Sequence, residues 1–125
     1  MIIGTGIDLV DVTRFYAMQT DRKERLAKRI LTDNEYEDYQ LSTDSSKYLA
    51  KIWAVKEAVA KSFGTGIQGN VTWKNMQVSK TKLGQPVLKL HENLFAPMTP
   101  NAQCHISISH DGDMVIATAV LSVIC

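Results

Sequence analysis

The sequence predicts an α+β fold, with helices mainly in the first half packed on an antiparallel sheet. Apolar residues recur at three- and four-residue steps up to about Phe63, then alternate or run in short stretches from Met76 onward. A length of 125 residues, 45% of them hydrophobic, is enough for one core, so a single domain over 1–125 is expected. Fourteen Lys and Arg stand against 13 Asp and Glu, a net charge of +1. That balance argues against disorder and against a chain-wide nucleic-acid binder.

The opening stretch Ile2–Val10 is β-rich and reads as a first strand, bent or closely approached at Gly4 and Gly6. A short helix from Thr13 to about Met18 follows. Asp21 with Glu24 three residues on has the capping-box pattern and opens a second helix with Leu26, Ala27 and Ile30 on its apolar side. Thr32 with Glu35 repeats the signal for an acidic helix through Tyr36 and Tyr39. After the polar break 41–46 comes the strongest helix, about Ser46 to Phe63, which Gly64 is placed to end in the left-handed conformation. Strands are expected at Met76–Val78 and Val87–Leu90, with turn residues Gly84-Gln85-Pro86 between them. A short helix is expected around His91–Phe95. His105–Ser109 and Val115–Ile124 read as two strands joined by a turn at Asp111-Gly112.

No apolar run approaches the roughly 18 residues that span a bilayer. The N-terminus lacks a basic region followed by an apolar one. Cys104 and Cys125 have no metal-ligand spacing and read as reduced, buried thiols. A cytoplasmic protein, off the membrane, is the expectation.

Several residues carry chemical potential. Asp8 ends the Gly4–Asp8 stretch, either capping a turn or standing as a carboxylate beside closely approached backbone. Glu57 and Lys61 lie one turn apart on one helix face, which an exposed ion pair would explain. Trp53 shares that face, however, and prefers burial, which places the pair in a cleft. Asp8 and Glu57 could together hold one Mg²⁺, with phosphate oxygens and water completing its octahedron. Lys61 could then meet a phosphate as a point charge. Gly64 is explained as a helix terminator, while Gly66 also lets backbone amides approach a ligand. Neither GxxxxGK[ST] nor GxGxxG occurs, so the chain is not a P-loop enzyme. GxSxG is absent as well. Ser107 and Ser109 alternate with Ile106 and Ile108 and belong to a polar strand face. His110 sits at the loop edge within reach of a ligand, and His91 reads as a surface residue. Arg14, Arg22, Lys23, Arg25, Lys28 and Arg29 cluster against only Asp21 and Glu24, a pattern that a solvated helix face would explain.

Together these segments resemble the bacterial holo-[acyl-carrier-protein] synthases, the small 4′-phosphopantetheinyl transferases. The matching stretches are Gly4-Thr5-Gly6-Ile7-Asp8-Leu9-Val10, Trp53-Ala54-Val55-Lys56-Glu57-Ala58, Lys61-Ser62-Phe63-Gly64-Thr65-Gly66-Ile67, Gly84-Gln85-Pro86 and Ser107-Ile108-Ser109-His110. They stand in the family's order over nearly the whole chain. The resemblance implies the 4′-phosphopantetheinyl transferase fold. It also implies transfer of phosphopantetheine from coenzyme A to a serine of an apo acyl-carrier protein, releasing adenosine 3′,5′-bisphosphate, in support of fatty acid biosynthesis. By position it makes Asp8 and Glu57 the Mg²⁺ ligands and Lys61 a diphosphate contact, these three being the catalytic set. Gly64, Gly66, Pro86 and His110 join Lys61 in the coenzyme A site. The base is left open among a metal-organised water, His110 and an acidic residue of either partner. The resemblance further implies a homotrimer with sites between subunits. It turns the basic cluster into a dock for the acidic carrier protein, with Arg14, Arg22 and Arg25 foremost.

One departure stands out. Many members have Arg-Phe where this chain has Ile52-Trp53, and Lys47 and Lys51 occupy other angles of the same helix. Ile52 is the feature that favours the alternative of a non-catalytic coenzyme A- or nucleotide-binding module. An RNA-binding role finds little support: few aromatics flank the basic cluster, and RRM and KH signatures are absent.

Overall fold

The structure, a computed structural model, describes residues 1–91 and 102–124. Strand β1 (Ile2–Asp11) is followed by helices α1 (Thr13–Tyr16), α2 (Thr20–Ile30), α3 (Asp33–Leu41) and α4 (Ser45–Ser62). A 3₁₀ turn (Trp73–Asn75) leads into β2 (Met76–Lys80) and β3 (Pro86–Leu90), and β4 (Ala102–Asp111) and β5 (Met114–Val123) close the chain. The expected α+β fold is present. The short helix expected around His91–Phe95 lies, beyond His91, outside the described residues, as does Cys125. Cys104 is a free thiol and only half-buried.

The strands form a three-stranded antiparallel sheet in the order β1-β5-β4 and a separate β2-β3 hairpin. The first strand thus pairs with the last. The Met1 ammonium donates to the Val123 carbonyl at 2.7 Å, which ties the start of β1 to the end of β5. From Gly4 onward along β1 the even-numbered residues face inward, and Asp8 lies opposite Ala117 and Gly6 opposite Ala119 on β5. Ala117 and Ala119 are both fully buried.

These small residues exist to let α4 lie close. A Cβ at Gly4 would sit 1.9 Å from the Ser62 carbonyl oxygen, and one at Gly6 would sit 1.8 Å from that of Ala58. Neither distance is physically possible, so glycine is required at both positions. The closely approached backbone anticipated at Gly4 and Gly6 is therefore real, and the approaching group is the main chain of α4.

Helix boundaries follow local chemistry, with one correction. The expected capping box at Asp21 and Glu24 does not form: α2 begins at Thr20 behind Gln19, without a side-chain cap. Asp21 lies inside the first turn, where its charge still complements the helix dipole, and the Glu24 carboxylate accepts the Tyr36 hydroxyl. The box at Thr32 and Glu35 does form, with the Glu35 amide on Thr32 Oγ1 and the Thr32 amide on Glu35 Oε1. At the far end of α4, Gly64 takes φ +80° and donates to the Lys61 carbonyl. The Gly66 amide reaches back to the Ala60 carbonyl at 3.3 Å, which supplies the structural reason that the sequence left open for it.

Beneath α4 lies a contact that composition and spacing did not disclose. Lys56 and Glu35 are both fully buried and paired at 2.6 Å. The remaining ammonium protons go to the carbonyls of Ile30 (2.7 Å) and Trp73 (2.9 Å). Glu35 Oε2 accepts the Val78 amide at 2.6 Å. One ion pair thereby joins α2, α3, α4, the 3₁₀ turn and β2.

Gly6→Ala should destabilise the fold by about 3 kcal/mol or more, as overpacking against rigid backbone does. Urea denaturation measures this, and a wild-type midpoint would contradict the packing described for β1 and α4.

Candidate active site

The inward face of β1 and the neighbouring face of α4 bring Asp8, Glu57 and Lys61 together. The Lys61 ammonium donates to Asp8 Oδ1 at 3.1 Å and to the Ile7 carbonyl at 2.9 Å. Its ion pair is made across the strand–helix interface to Asp8, and not along the helix to Glu57. The Lys61 side chain is 50% exposed and that of Asp8 only 16%. The other carboxylate oxygen, Asp8 Oδ2, is buried without a hydrogen-bond partner. An orphaned anionic oxygen in that position is costly unless something cationic or hydrogen-bonding reaches it.

Glu57 is half-buried beside it. Burial raises its carboxyl above the ordinary value of 4.5, the Asp8 carboxylate raises it further, and Lys61 partly offsets both. The two acids therefore feel each other electrostatically. Two hard carboxylate donors, one with an unfilled oxygen, suit a divalent cation such as Mg²⁺, which takes one or two protein carboxylates and draws its other ligands from phosphate and water. No group of three or more ligating His, Cys, Asp or Glu side chains exists among the described residues. Most of the coordination sphere would have to come from a bound substrate.

Trp53 stands one turn before Glu57 on the same face of α4. Its ring stacks on Trp73 at 4.9 Å and meets the edge of Phe15 at 6.3 Å. From there a groove of about 430 Å³ opens, lined by Arg14, Arg22, Arg25 and Arg29 with Met18 and Trp53. The three arginines singled out in the sequence thus face one concavity. Lys23 does not join them: its ammonium donates to the Ser45 and Ser46 hydroxyls and ties α2 to the start of α4.

A second groove, of about 610 Å³, lies against another side of α4 and is lined by Lys47, Lys51, Ile52, Lys80, Pro86 and Ile108 among others. Ile52 is buried at its base. The Lys51 ammonium loses its proton more readily than usual, through burial first and then the charges of Lys47 and Lys80. Pro86 belongs to this groove. His110 is exposed near the end of β4, pairing with Val115. Among the described residues no hydrogen bond or ion pair links Pro86 or His110 to Asp8, Glu57 or Lys61. Gly64 and Gly66 lie just past Lys61, both at positive φ and with open space where a Cβ would be. Ser107 and Ser109 are exposed on the outer sheet face, as their alternation with Ile106 and Ile108 indicated.

The sequence profile of the 4′-phosphopantetheinyl transferase superfamily matches residues 4–119. The chain belongs to this family. It is an enzyme of the phosphopantetheinyl transferase class. Similar relatives include the holo-[acyl-carrier-protein] synthase of Geobacter metallireducens, 39% identical over 97% of this chain and 98% of the relative. Among solved structures, the Neisseria meningitidis holo-[acyl-carrier-protein] synthase superposes with a TM-score of 0.89 at 31% identity, covering 98% of this chain and 99% of that one. The Helicobacter pylori synthase in complex with coenzyme A superposes at 0.81 with 29% identity, over 94% of this chain and 99% of that one.

Sequence reasoning missed three parts of this transferase's site region: the partnership of Lys61 with Asp8, the stacking of Trp73 on Trp53, and the place of Lys80 in the second groove. Each depends on a contact between distant segments that no local spacing encodes.

Because its carboxyl is raised in the fold, Glu57 holds a proton more readily folded than unfolded. Its contribution to stability is fully present below the unfolded value and is lost as pH rises through the raised folded one. Glu57→Gln should therefore show a smaller decline in melting temperature than wild type as pH rises above Glu57's ordinary value of 4.5, without added divalent cation. Thermal denaturation across that range tests it, and parallel pH curves would refute it.

Proposed function

We propose that the chain transfers the 4′-phosphopantetheine group of coenzyme A to a serine of an apo acyl-carrier protein. The products would be the holo carrier and adenosine 3′,5′-bisphosphate, and the reaction would be Mg²⁺-dependent and serve fatty acid biosynthesis. The observation that carries this reading is the meeting of Asp8, Glu57 and Lys61, in a chain whose relatives are named for that activity. We place the reaction in the cytoplasm, where a free thiol such as Cys104 stays reduced.

Asp8 Oδ2 and the Glu57 carboxylate would hold the cation, Lys61 being already engaged with Asp8 Oδ1. Bound there, Mg²⁺ supplies charge neutralisation and orientation for a diphosphate. Lys61 extends from the same helix to contact the diphosphate oxygens and stabilise the departing bisphosphate. Phosphoryl-type transfer calls for positioning and charge stabilisation more than for a protein nucleophile. This fits a site whose nucleophile, a serine hydroxyl, arrives on the partner. The arginine-lined groove beside Trp53 gives an acidic carrier protein a basic landing surface next to Glu57.

The second groove extends the reading to the assembly. Tyr48, which lines it, lies roughly 180° around α4 from Glu57 at 3.6 residues per turn. A coenzyme A that reached Glu57 of one copy of the chain and Pro86 of another would bridge the two. The outer sheet face presents Ile7 (55% exposed) and Leu9 (62%) beside the exposed Ser107 and Ser109, a mixed surface that would be buried between subunits of a homotrimer. Lys47, Lys51 and Lys80 would bring to that shared site the positive charge that Ile52 does not.

Wild-type protein incubated with coenzyme A, Mg²⁺ and an apo carrier protein should add roughly 340 Da to the carrier, the mass of a phosphopantetheine group. Intact-mass spectrometry reads this directly. Glu57→Gln should abolish the gain while keeping the fold, and full activity in that variant would remove Glu57 from the metal site. Persistent coenzyme A binding without any mass gain would favour the non-catalytic module.

Arg14→Glu should raise the KM for carrier protein at least about tenfold while leaving that for coenzyme A nearly unchanged, with the difference shrinking in high salt. Equal losses for both substrates would count against a dedicated docking groove.

A further inference from the structure

The Glu35–Lys56 pair has a feature that stability alone does not explain. Buried ion pairs contribute little net stability, and apolar replacements of similar volume often serve as well or better. Here the geometry is complete: all three protons of the Lys56 ammonium are used, on Glu35, Ile30 and Trp73. Lys56 is also the residue before Glu57. The two side chains leave α4 about 100° apart, one clamped in the interior and the other facing Asp8.

Such a clamp fixes the rotation of α4 about its own axis. Turning the helix by about 10° would swing a carboxylate at its outer radius by about 1 Å. A displacement of that size can cost about a hundredfold in rate. The clamp also reaches the neighbouring face of the helix, where Trp53 lies about 60° around α4 from Lys56. Lys56 holds the Trp73 main chain at 2.9 Å, and the Trp73 ring stacks on Trp53, one turn before Glu57.

We propose that Glu35 and Lys56 are positioning residues for the transfer reaction, setting Glu57 directly through α4 and Trp53 through Trp73. The proposal rests on the function assigned above. It adds that a fully buried pair, in contact with neither substrate, determines how well the metal-binding carboxylate and the floor of the basic groove are aligned.

The test uses Glu35→Leu/Lys56→Met, which removes both charges and leaves neither stranded, alongside Trp73→Leu, in which the ion pair stays intact. The chain's only tryptophans are Trp53 and Trp73, so the exciton couplet of their stacked indoles in circular dichroism reports the local geometry without any activity measurement. The double variant should keep its helical signal, lose or invert the couplet, and show kcat lowered at least about tenfold with the KM for coenzyme A within about twofold. Trp73→Leu should lower kcat in the same direction. A double variant with wild-type kcat and couplet overturns the proposal. So does a change confined to KM, wild-type kcat in Trp73→Leu, or failure of the double variant to fold, since each reduces the pair to a stability element. Absence of transfer by wild-type protein would instead overturn the functional reading itself, and this proposal with it.

Discussion

The distance between β1 and α4 governs the molecule. A strand and a helix normally keep side chains between them. Here the backbone of α4 rests almost directly on Gly4 and Gly6, where any Cβ would collide with the carbonyls of Ser62 and Ala58. Ala117 and Ala119 on the adjoining strand are correspondingly small and buried. This close seating puts Asp8, two residues beyond Gly6, within reach of an ammonium one turn past Glu57. Fold and site have the same cause.

The interior of α4 complements that seating. The residues of α4 that meet Gly4 and Gly6 are Ala58 and Ser62, and Lys56 pairs with Glu35 of α3. A lysine is an unusual choice for a helix interior, and it is accommodated by the Glu35 carboxylate together with the Ile30 and Trp73 carbonyls. The Glu35 carboxylate serves the Thr32 amide, the Lys56 ammonium and the Val78 amide together. A motif that looks purely local in the sequence is thus also a long-range tie.

What the sequence discloses depends on how local the physics is. Helical periodicity in α4, strand alternation at Ile106–Ser109, the Thr32–Glu35 cap and the left-handed Gly64 were all legible, because each depends on neighbouring residues. Asp21 shows the limit: it has the capping pattern, yet the helix starts one residue earlier and Glu24 turns to Tyr36 instead. Asp8, Glu57 and Lys61 could be named from residue type and family resemblance. Their mutual geometry could not, since Lys61 had an equally well spaced partner on its own helix and the choice of Asp8 is made by tertiary packing. The buried Lys56 and the Trp53–Trp73 stack left no local signature at all.

The ion pair between Lys61 and Asp8 has a consequence for how a highly charged donor could enter. Two bare carboxylates side by side would repel an incoming polyanion. With Lys61 lying across Asp8 Oδ1 and the Ile7 carbonyl, the two acids carry their own counter-ion. That ammonium is half exposed on a four-carbon stem, so on the proposed function it would be able to turn from Asp8 Oδ1 to a phosphate oxygen. On the proposed function, Lys61 would already supply at Asp8 part of the positive charge that a bound cation would complete.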